Sequence, residues 1–167
     1  GEISAGHGHL LHQFLSPWSN HRDDQYGGDL AGRTRLIAEL VAALRALCSR
    51  DFIVGLKLPG SDGVAGGIGP AEAARIATQL TRSREVDHIC FAQGSHARSL
   101  ELHVPDGHGP RAPYLPLIRE LRRAISGVPL VALGRITDPA EADSIIACGA
   151  AEFVALGRPL VTDPAWL

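Results

Sequence analysis

One pentapeptide occurs twice near the end of this 167-residue chain. Residues 131–135 and 154–158 both read Val-Ala-Leu-Gly-Arg, which predicts a short buried strand that ends in a glycine and an arginine. A glycine admits close approach to the backbone and a guanidinium binds an oxyanion through two hydrogen bonds, so two such strand ends side by side suit a phosphate. There is a structural alternative for either copy alone, in which the glycine ends a strand and the arginine forms an ion pair at the surface. The repetition favours the phosphate site.

Thr-Asp-Pro follows each copy, at residues 137–139 and 162–164. Each proline is predicted to open a helix, because proline is favoured at the first helical position. Asp138 is the predicted cap of the first of these helices, with Glu141 three residues after it. The positive end of that helix would then face outward beside Gly134 and add to the anion site.

Buried strands and amphipathic helices alternate along the whole chain. The predicted strands are residues 2–5, 52–58, 86–92, 128–133 and 152–156. The predicted helices contain residues 10–15, 30–48, 70–80, 114–125 and 140–148. Pro59 and Gly60 are predicted to end the second strand, and residues 93–113 to form a long loop. The connections are too long for hairpins, so we expect parallel strands covered by helices, an α/β fold.

Two parallel architectures compete for this pattern. A doubly wound sheet would carry its phosphate site early, as Gly-x-Gly-x-x-Gly after the first strand, and the chain has no such motif. A (β/α)8 barrel binds phosphate at the loops after its seventh and eighth strands. The doubled pentapeptide at the last two strands therefore favours a TIM barrel.

Composition narrows the classes of function. A net charge of −2 gives no electrostatic basis for binding nucleic acid. No apolar run is long enough to span a membrane and no signal peptide is recognisable, so we expect a cytoplasmic protein. Cys48, Cys90 and Cys148 lie far apart in apolar segments, which predicts reduced, buried thiols. The chain has no methionine, which favours a fragment or a processed chain over simple loss of the initiator.

Four segments resemble the old yellow enzyme family of FMN-dependent oxidoreductases, of the NADH:flavin oxidoreductase type. They are residues 6–17, 24–33, 52–58 and 128–166. In the last segment, Gly-Arg-Ile-Thr-Asp-Pro and Gly-Arg-Pro-Leu-Val-Thr-Asp-Pro are most similar to the branch that contains dienoyl-CoA reductases and methylated-amine dehydrogenases. The four segments span nearly the whole chain, so chance similarity is a poor explanation.

The resemblance implies a (β/α)8 TIM barrel that holds FMN at the carboxyl ends of its strands. The chain would be a single C-terminal part of that FMN-binding domain and supply strands four to eight. The N-terminal strands, and the iron–sulfur motif that follows the barrel in this branch, are absent from the sequence. We therefore expect the partner to be the N-terminal half of the barrel or a second copy of the chain.

The resemblance also implies which residues bind the cofactor. Gly134, Arg135, Gly157 and Arg158 match the family's FMN phosphate site. Lys57 matches the arginine or lysine that lies beside the flavin pyrimidine ring, where a cation stabilises the charge of the reduced flavin. From the residues alone, Lys57 reads equally well as a solvent-facing lysine at a strand end.

Three residues match the family's substrate side. His7 corresponds to one of two hydrogen-bond donors for the activating oxygen of the substrate, and Ser4 replaces the usual histidine of that pair. His9 takes the position of the proton-donating tyrosine, and histidine can transfer a proton near neutral pH. His9 and His12 are also three apart on a predicted helix, but without a third ligand we predict no metal site.

Two loop segments carry weaker signals. Residues 26–33 match a family signature that we interpret as structural, with glycines that set the turn. Residues 93–96 follow a predicted strand and would either reach the substrate or form an ordinary polar turn.

The predicted activity is hydride transfer between a small-molecule substrate and flavin, with NAD(P)H as the electron donor. In an amine-oxidising relative, an electron carrier would take the place of the nicotinamide. Two alternatives remain: a phosphate-binding TIM-barrel lyase or isomerase without flavin, and a non-catalytic half-barrel fragment.

Overall fold

The fold is a five-stranded parallel sheet with helices between the strands, seen in a computed structural model that describes residues 1–49, 51–95 and 98–166. The strands are β1 (Glu2–Ser4), β2 (Gly55–Ser61), β3 (His88–Gln93), β4 (Leu130–Ala132) and β5 (Phe153–Val154). The helices are α1 (Leu10–Leu15), α2 (Leu30–Leu47), α3 (Pro70–Thr81), α4 (Leu100–His103), α5 (Leu115–Ala124), α6 (Pro139–Ala147) and α7 (Arg158–Thr162).

The strands lie in the sheet in their order along the chain, β1-β2-β3-β4-β5, and every neighbouring pair is parallel. One row of the register runs across the sheet from Ser4 through Lys57, Cys90 and Val131 to Phe153. The predicted α/β arrangement of parallel strands is confirmed.

The core lies between one face of the sheet and the helices. Its fully buried strand residues are Leu56, Leu58, Ile89, Phe91 and Leu130. Successive side chains of a strand point to opposite faces, so the intervening residues face the other side. Lys57, His88 and Val131 are half-buried there, and Phe153 is 56% exposed. That second face is therefore only partly covered by the described part of the chain.

Local interactions explain where α2 and α3 begin. Asp29 caps α2, because its side chain accepts a hydrogen bond from the Gly32 amide. Pro70 is at the start of α3, and Glu72 in the first turn pairs with Arg33 of α2. Within the described ranges, no helix has both the length and the apolar character to cross a bilayer.

The second strand differs from its prediction. Instead of ending before Pro59, β2 continues through Pro59 and Gly60 to Ser61. β1 ends at Ser4, opposite Lys57, so β2 has no strand neighbour on that side beyond this point. A proline without an N–H is tolerated at such a one-sided position, and the pairing with β3 shifts register there.

The region after the second pentapeptide also corrects a prediction. Pro139 opens α6 as expected, but Pro164 lies after α7, which begins at Arg158 with Pro159 in its first turn. Pro159 is itself suited to a helix start, so the helix begins six residues earlier than predicted. A short helix, α4, also lies inside the predicted long loop.

The three cysteines are free, but only Cys90 is buried. Cys48 is partly exposed and Cys148 is exposed, so the prediction of buried thiols is wrong for these two. Each follows the last residue of a helix, α2 and α6 respectively, where the chain turns toward the surface.

Candidate functional site

A cavity of about 390 Å³ lies where the carboxyl ends of the strands meet. Its wall contains most of the predicted cofactor and catalytic residues, namely His7, Lys57, Gly134, Arg135, Gly157 and Arg158. Lys57 comes from β2, and the two Gly-Arg pairs come from the chain after β4 and β5. The parallel sheet therefore brings both copies of the repeat and the lysine into one site.

The first glycine of the repeat packs against an aromatic ring. Gly134 has a φ of +103°, and a Cβ atom there would lie 2.7 Å from Cδ2 of Tyr114. The Tyr114 ring is held in place because its hydroxyl donates to the carbonyls of Leu102 and His103. Backbone angle and packing therefore both require glycine, whether or not a ligand approaches it.

The second glycine has a different environment. Gly157 has a φ of −123°, and a Cβ atom there would meet no other atom within 4 Å. Because Gly157 lines the cavity, this open space is available to a bound group. Arg158, the next residue, is the first residue of α7.

Both arginines of the repeat hold the same loop segment. Arg135 donates to the carbonyls of Gly107, at 3.4 Å, and Gly109. Arg158 donates to the carbonyl of Pro105 at 2.7 Å. Two guanidinium groups thus lie at the cavity and already bind neutral carbonyl oxygens. A phosphate would offer them a charged acceptor, which makes a stronger hydrogen bond.

The start of α6 departs from the predicted anion site. Asp138 accepts a hydrogen bond from the Ala140 amide at 2.9 Å, and Glu141 accepts one from the Thr137 amide at 3.3 Å. The predicted capping residues are confirmed. However, the two carboxylates put negative charge at the helix start, so we do not count it as an open anion site. The two arginines at the cavity remain the predicted anion-binding groups.

Lys57 is paired on the face of the sheet that the helices do not cover. Its Nζ lies 2.8 Å from Oε1 of Glu2, and Oε2 of Glu2 accepts from Sγ of Cys90 at 3.1 Å. Burial alone would lower the pKa of Lys57, but the hydrogen bond to Glu2 and the negative charges nearby raise it. Lys57 therefore carries a positive charge at the cavity wall.

His7 follows the end of β1 and has an unusual backbone. Its φ is +62°, a left-handed conformation, and its ring stacks on the His103 ring with a centroid distance of 3.8 Å. Burial lowers the pKa of His7 to about 4, and the nearby charges of His103 and Lys57 act in the same direction. The imidazole is therefore neutral at pH 7, with one N–H to donate.

Ser4 and His9 lie beside the cavity and are not among its wall residues. Ser4 is the last residue of β1, next to Lys57 in the sheet register. His9 is exposed and directly precedes α1, and it is close enough for its charge to affect the pKa of His7. Of the three predicted catalytic residues, His7 lines the cavity and the other two do not.

His12 has a structural role in the packing of α1. It is buried, its Nδ1 accepts from the Gly8 amide at 2.8 Å, and its Nε2 lies 3.6 Å from Oδ2 of Asp62. Ser16 also donates to Asp62, at 2.9 Å. These residues line a second cavity of about 370 Å³ whose buried polar groups bind one another. Among the described residues, no group of three or more His, Cys, Asp or Glu side chains is arranged to hold a metal ion.

Sequence reasoning missed two residues near the site. Glu2 could have been found from the two-residue period of a strand, which puts it on the same face as Ser4. His103 gave no such signal, because it belongs to the unpredicted helix α4. His96, for which the sequence left substrate contact and an ordinary polar turn both open, lies outside the described residues.

The family signature between α1 and α2 has the structural role expected for it. Arg33 is buried and donates to the carbonyls of Leu15, at 3.0 Å, and Gly28, at 2.7 Å. A Cβ atom at Gly27 would lie 2.0 Å from the carbonyl oxygen of Arg22. This turn fixes α1 against α2 and so supports the His7–His12 end of the site.

Comparison with known proteins identifies the family. Residues 2–167 match the model of the NADH:flavin oxidoreductase / NADH oxidase family. The chain is 34% identical over 166 residues to a metal reductase from Desulforamulus reducens and 33% identical over 165 residues to N,N-dimethylglycine/sarcosine dehydrogenase from Chromohalobacter salexigens. These alignments cover 98% of this chain and 24% of each relative.

The fold agrees with solved structures of such enzymes. A complex of 2-naphthoyl-CoA reductase with 2-naphthoyl-CoA superposes with a TM-score of 0.89 at 26% identity, over 98% of this chain and 24% of that protein. The five parallel strands thus match about a quarter of a TIM-barrel flavin oxidoreductase. The chain belongs to the NADH:flavin oxidoreductase family, the old yellow enzyme family, and is most similar to its dienoyl-CoA reductase and methylated-amine dehydrogenase branch.

Proposed function

We propose that this chain forms one side of an FMN site in an oxidoreductase that transfers hydride between flavin and a nicotinamide or an organic substrate. The observation that carries the proposal is the single cavity that joins Lys57, His7 and both Gly-Arg pairs. NAD(P)H is the proposed electron donor. FMN, when bound, would supply the ring that accepts and donates hydride.

The residues of the cavity fit a phosphate-bearing cofactor. Arg135 and Arg158 would bind the phosphate, and the open space beside Gly157 would admit it close to the backbone. Lys57 would lie beside the flavin pyrimidine ring, where its positive charge stabilises the reduced form. Gly134 would support the site through its packing against Tyr114.

The histidine end of the cavity would serve the substrate. His7, neutral at pH 7, can donate its N–H to the activating oxygen of a substrate, with Ser4 as the second donor. His9 would supply the proton, because it is exposed and close to His7. These roles follow from the matched positions in the family and from the placement of the three residues.

The partly covered second face of the sheet indicates what this chain would assemble with. We propose that the chain corresponds to strands four to eight of the barrel, as the C-terminal part of the FMN-binding domain. The N-terminal half of a barrel, or a second copy of this chain, would then cover the second sheet face and complete the flavin pocket. Membership of a flavin oxidoreductase family favours this function over a flavin-free lyase or isomerase.

Fluorescence titration of the purified chain with FMN tests the proposal. Arg158→Ala removes one charged donor to the phosphate, worth about 1.5–3 kcal/mol, so FMN affinity should fall by about tenfold to a hundredfold. Arg119→Ala is the matched control, because Arg119 is an exposed arginine of α5 that contacts Cys148. Equal FMN affinity in both variants would contradict the phosphate assignment. Absence of FMN binding by the unaltered chain, both alone and mixed with an N-terminal barrel half, would favour the non-catalytic half-barrel.

A further inference from the structure

The uncovered face of the sheet carries a small cluster of ionisable side chains. The Glu2 carboxylate is the common partner: Oε1 lies 2.8 Å from Lys57 Nζ, and Oε2 lies 3.1 Å from Cys90 Sγ and 4.0 Å from His88 Nε2. The register explains the cluster, because Glu2 is aligned with His88 through Gly55, and Lys57 is aligned with Cys90.

Lys57 belongs both to this cluster and to the cavity. Its side chain lines the cavity and is 26% exposed, while its ammonium contacts Glu2. It is also the only lysine in a chain whose other basic side chains are arginines. A lysine ammonium is a compact point charge that can turn toward either side, so its partner decides where its charge acts.

We infer that Glu2 is a positioning residue, which holds the Lys57 ammonium at the cavity wall and offsets part of its charge toward the group bound there. The inference rests on the proposed function, since that group is the flavin. A positive charge beside the pyrimidine ring favours the reduced, negatively charged flavin, and a carboxylate 2.8 Å from the same ammonium weakens that effect.

The protonation states agree with this role. Burial would raise the pKa of Glu2, but the hydrogen bonds from Lys57 and Cys90 lower it, so the carboxylate is ionised. Burial and the charge of Glu2 raise the pKa of Cys90, so its thiol stays protonated and donates to Glu2. Glu2 and Lys57 are thus both charged at pH 7, and His7 of the cavity wall is neutral.

The first experiment needs no flavin. Reductive methylation with ¹³C-formaldehyde labels Lys57 and the terminal amine, so NMR can follow the titration of this one lysine. Glu2→Gln keeps a hydrogen-bond acceptor but removes the charge, and the pKa of Lys57 should fall. Glu2→Asp keeps the charge, so the pKa of Lys57 should stay near its value in the unaltered protein. Glu39→Gln is the control, because Glu39 is exposed and contacts Tyr26.

The second experiment uses the FMN-loaded protein. In Glu2→Gln, Lys57 acts on the flavin without a competing carboxylate, so the affinity for reduced FMN relative to oxidised FMN should rise by about tenfold, a shift of about 30 mV in the two-electron potential. Glu2→Asp should stay near the unaltered protein. A purely structural role for Glu2 would move stability and leave the potential unchanged.

The outcomes separate the positioning role of Glu2 from the proposed function in FMN binding. An unchanged Lys57 pKa or an unchanged flavin potential in Glu2→Gln overturns the positioning role. If the unaltered protein binds no FMN, the proposed function fails and the positioning role toward flavin fails with it. The NMR titration then still decides whether Glu2 sets the charge of Lys57.

Discussion

At the scale of single residues, His7 and His9 have different environments. His7 is stacked on His103 and neutral, whereas His9 is exposed just before α1. A neutral imidazole in a fixed position suits hydrogen bonding to a substrate, and an exposed one can exchange its proton with water. Substitution of His7 should therefore change the stability of the fold, and substitution of His9 should change the reaction rate.

Stability should depend on the titration of His7. Its pKa is about 4 in the folded chain and about 6.5 in an unfolded one, so between these values the unfolded state binds more protons. The free energy of unfolding should then decrease as pH falls from 6.5 to 4. His7→Asn tolerates the left-handed backbone and should flatten this dependence in urea melts. His21→Asn, at an exposed histidine, is the control, and a wild-type slope in His7→Asn would refute the prediction.

His9 should matter for only one half of the reaction. If it donates the proton, His9→Phe should slow substrate reduction by the reduced flavin by roughly 100-fold to 10,000-fold. Reduction of the flavin by NAD(P)H should keep its rate and serves as the internal control. His9→Tyr should recover most of the loss. Stopped-flow measurement of the two half-reactions makes the test, and an intact oxidative rate in His9→Phe would assign the proton to water or another side chain.

At the scale of elements, the two strand ends that carry the repeat predict a matched pair of mutants. Gly134→Ala puts a methyl group 2.7 Å from the Tyr114 ring at a positive φ, so it should cost about 2 kcal/mol of unfolding free energy. Gly157→Ala meets no atom, so stability should change little while FMN affinity falls. Thermal melts and FMN titration of both variants check this. The same loss of affinity without loss of stability in Gly134→Ala would contradict the structural role of Gly134.

The elements also show how far the sequence was predictive. Hydrophobic period located all five strands and the long helices, and Pro70 and Asp138 marked two helix starts because they act locally. The error in the second strand arose where tertiary contacts decide. Pro59 stays in β2 because β1 has already ended, which no local pattern encodes.

The same limit applies to the site. The cavity residues were predictable because the repeat, the family positions and the parallel order all point to one edge of the sheet. The hydrogen-bond and packing partners of those residues were not predictable from the sequence. Arg158 binds the carbonyl of Pro105, which is 53 residues away in sequence, and the ring under Gly134 comes from Tyr114 at the start of α5.

At the scale of the whole molecule, the second face of the sheet is the main unsatisfied feature. Phe153 on this face is 56% exposed, and the outer edges of β1 and β5 have no strand partner within the described part of the chain. Open edges and apolar faces favour association. The chain spans 24% of the metal reductase and 24% of the N,N-dimethylglycine/sarcosine dehydrogenase compared above, so both relatives extend well beyond the matched part.

The purified chain should therefore self-associate or bind an N-terminal barrel half. Sedimentation velocity over a range of concentrations should show dimers or larger species, and Phe153→Lys should shift the distribution toward monomer. Val161→Lys is the control, at an apolar residue of α7 that is 84% exposed. A monodisperse monomer that unfolds cooperatively would argue against an incomplete barrel.

The two copies of the pentapeptide have one more consequence. Their letters are identical, yet Gly134 and Arg135 have φ values of +103° and +52°, whereas Gly157 is at −123° and Arg158 starts a helix. The backbone is set by what comes next, a buried Ile136 in one copy and the helix-starting Pro159 in the other. Grafting these five residues into another protein as a binding loop would transfer their sequence but neither of the two conformations.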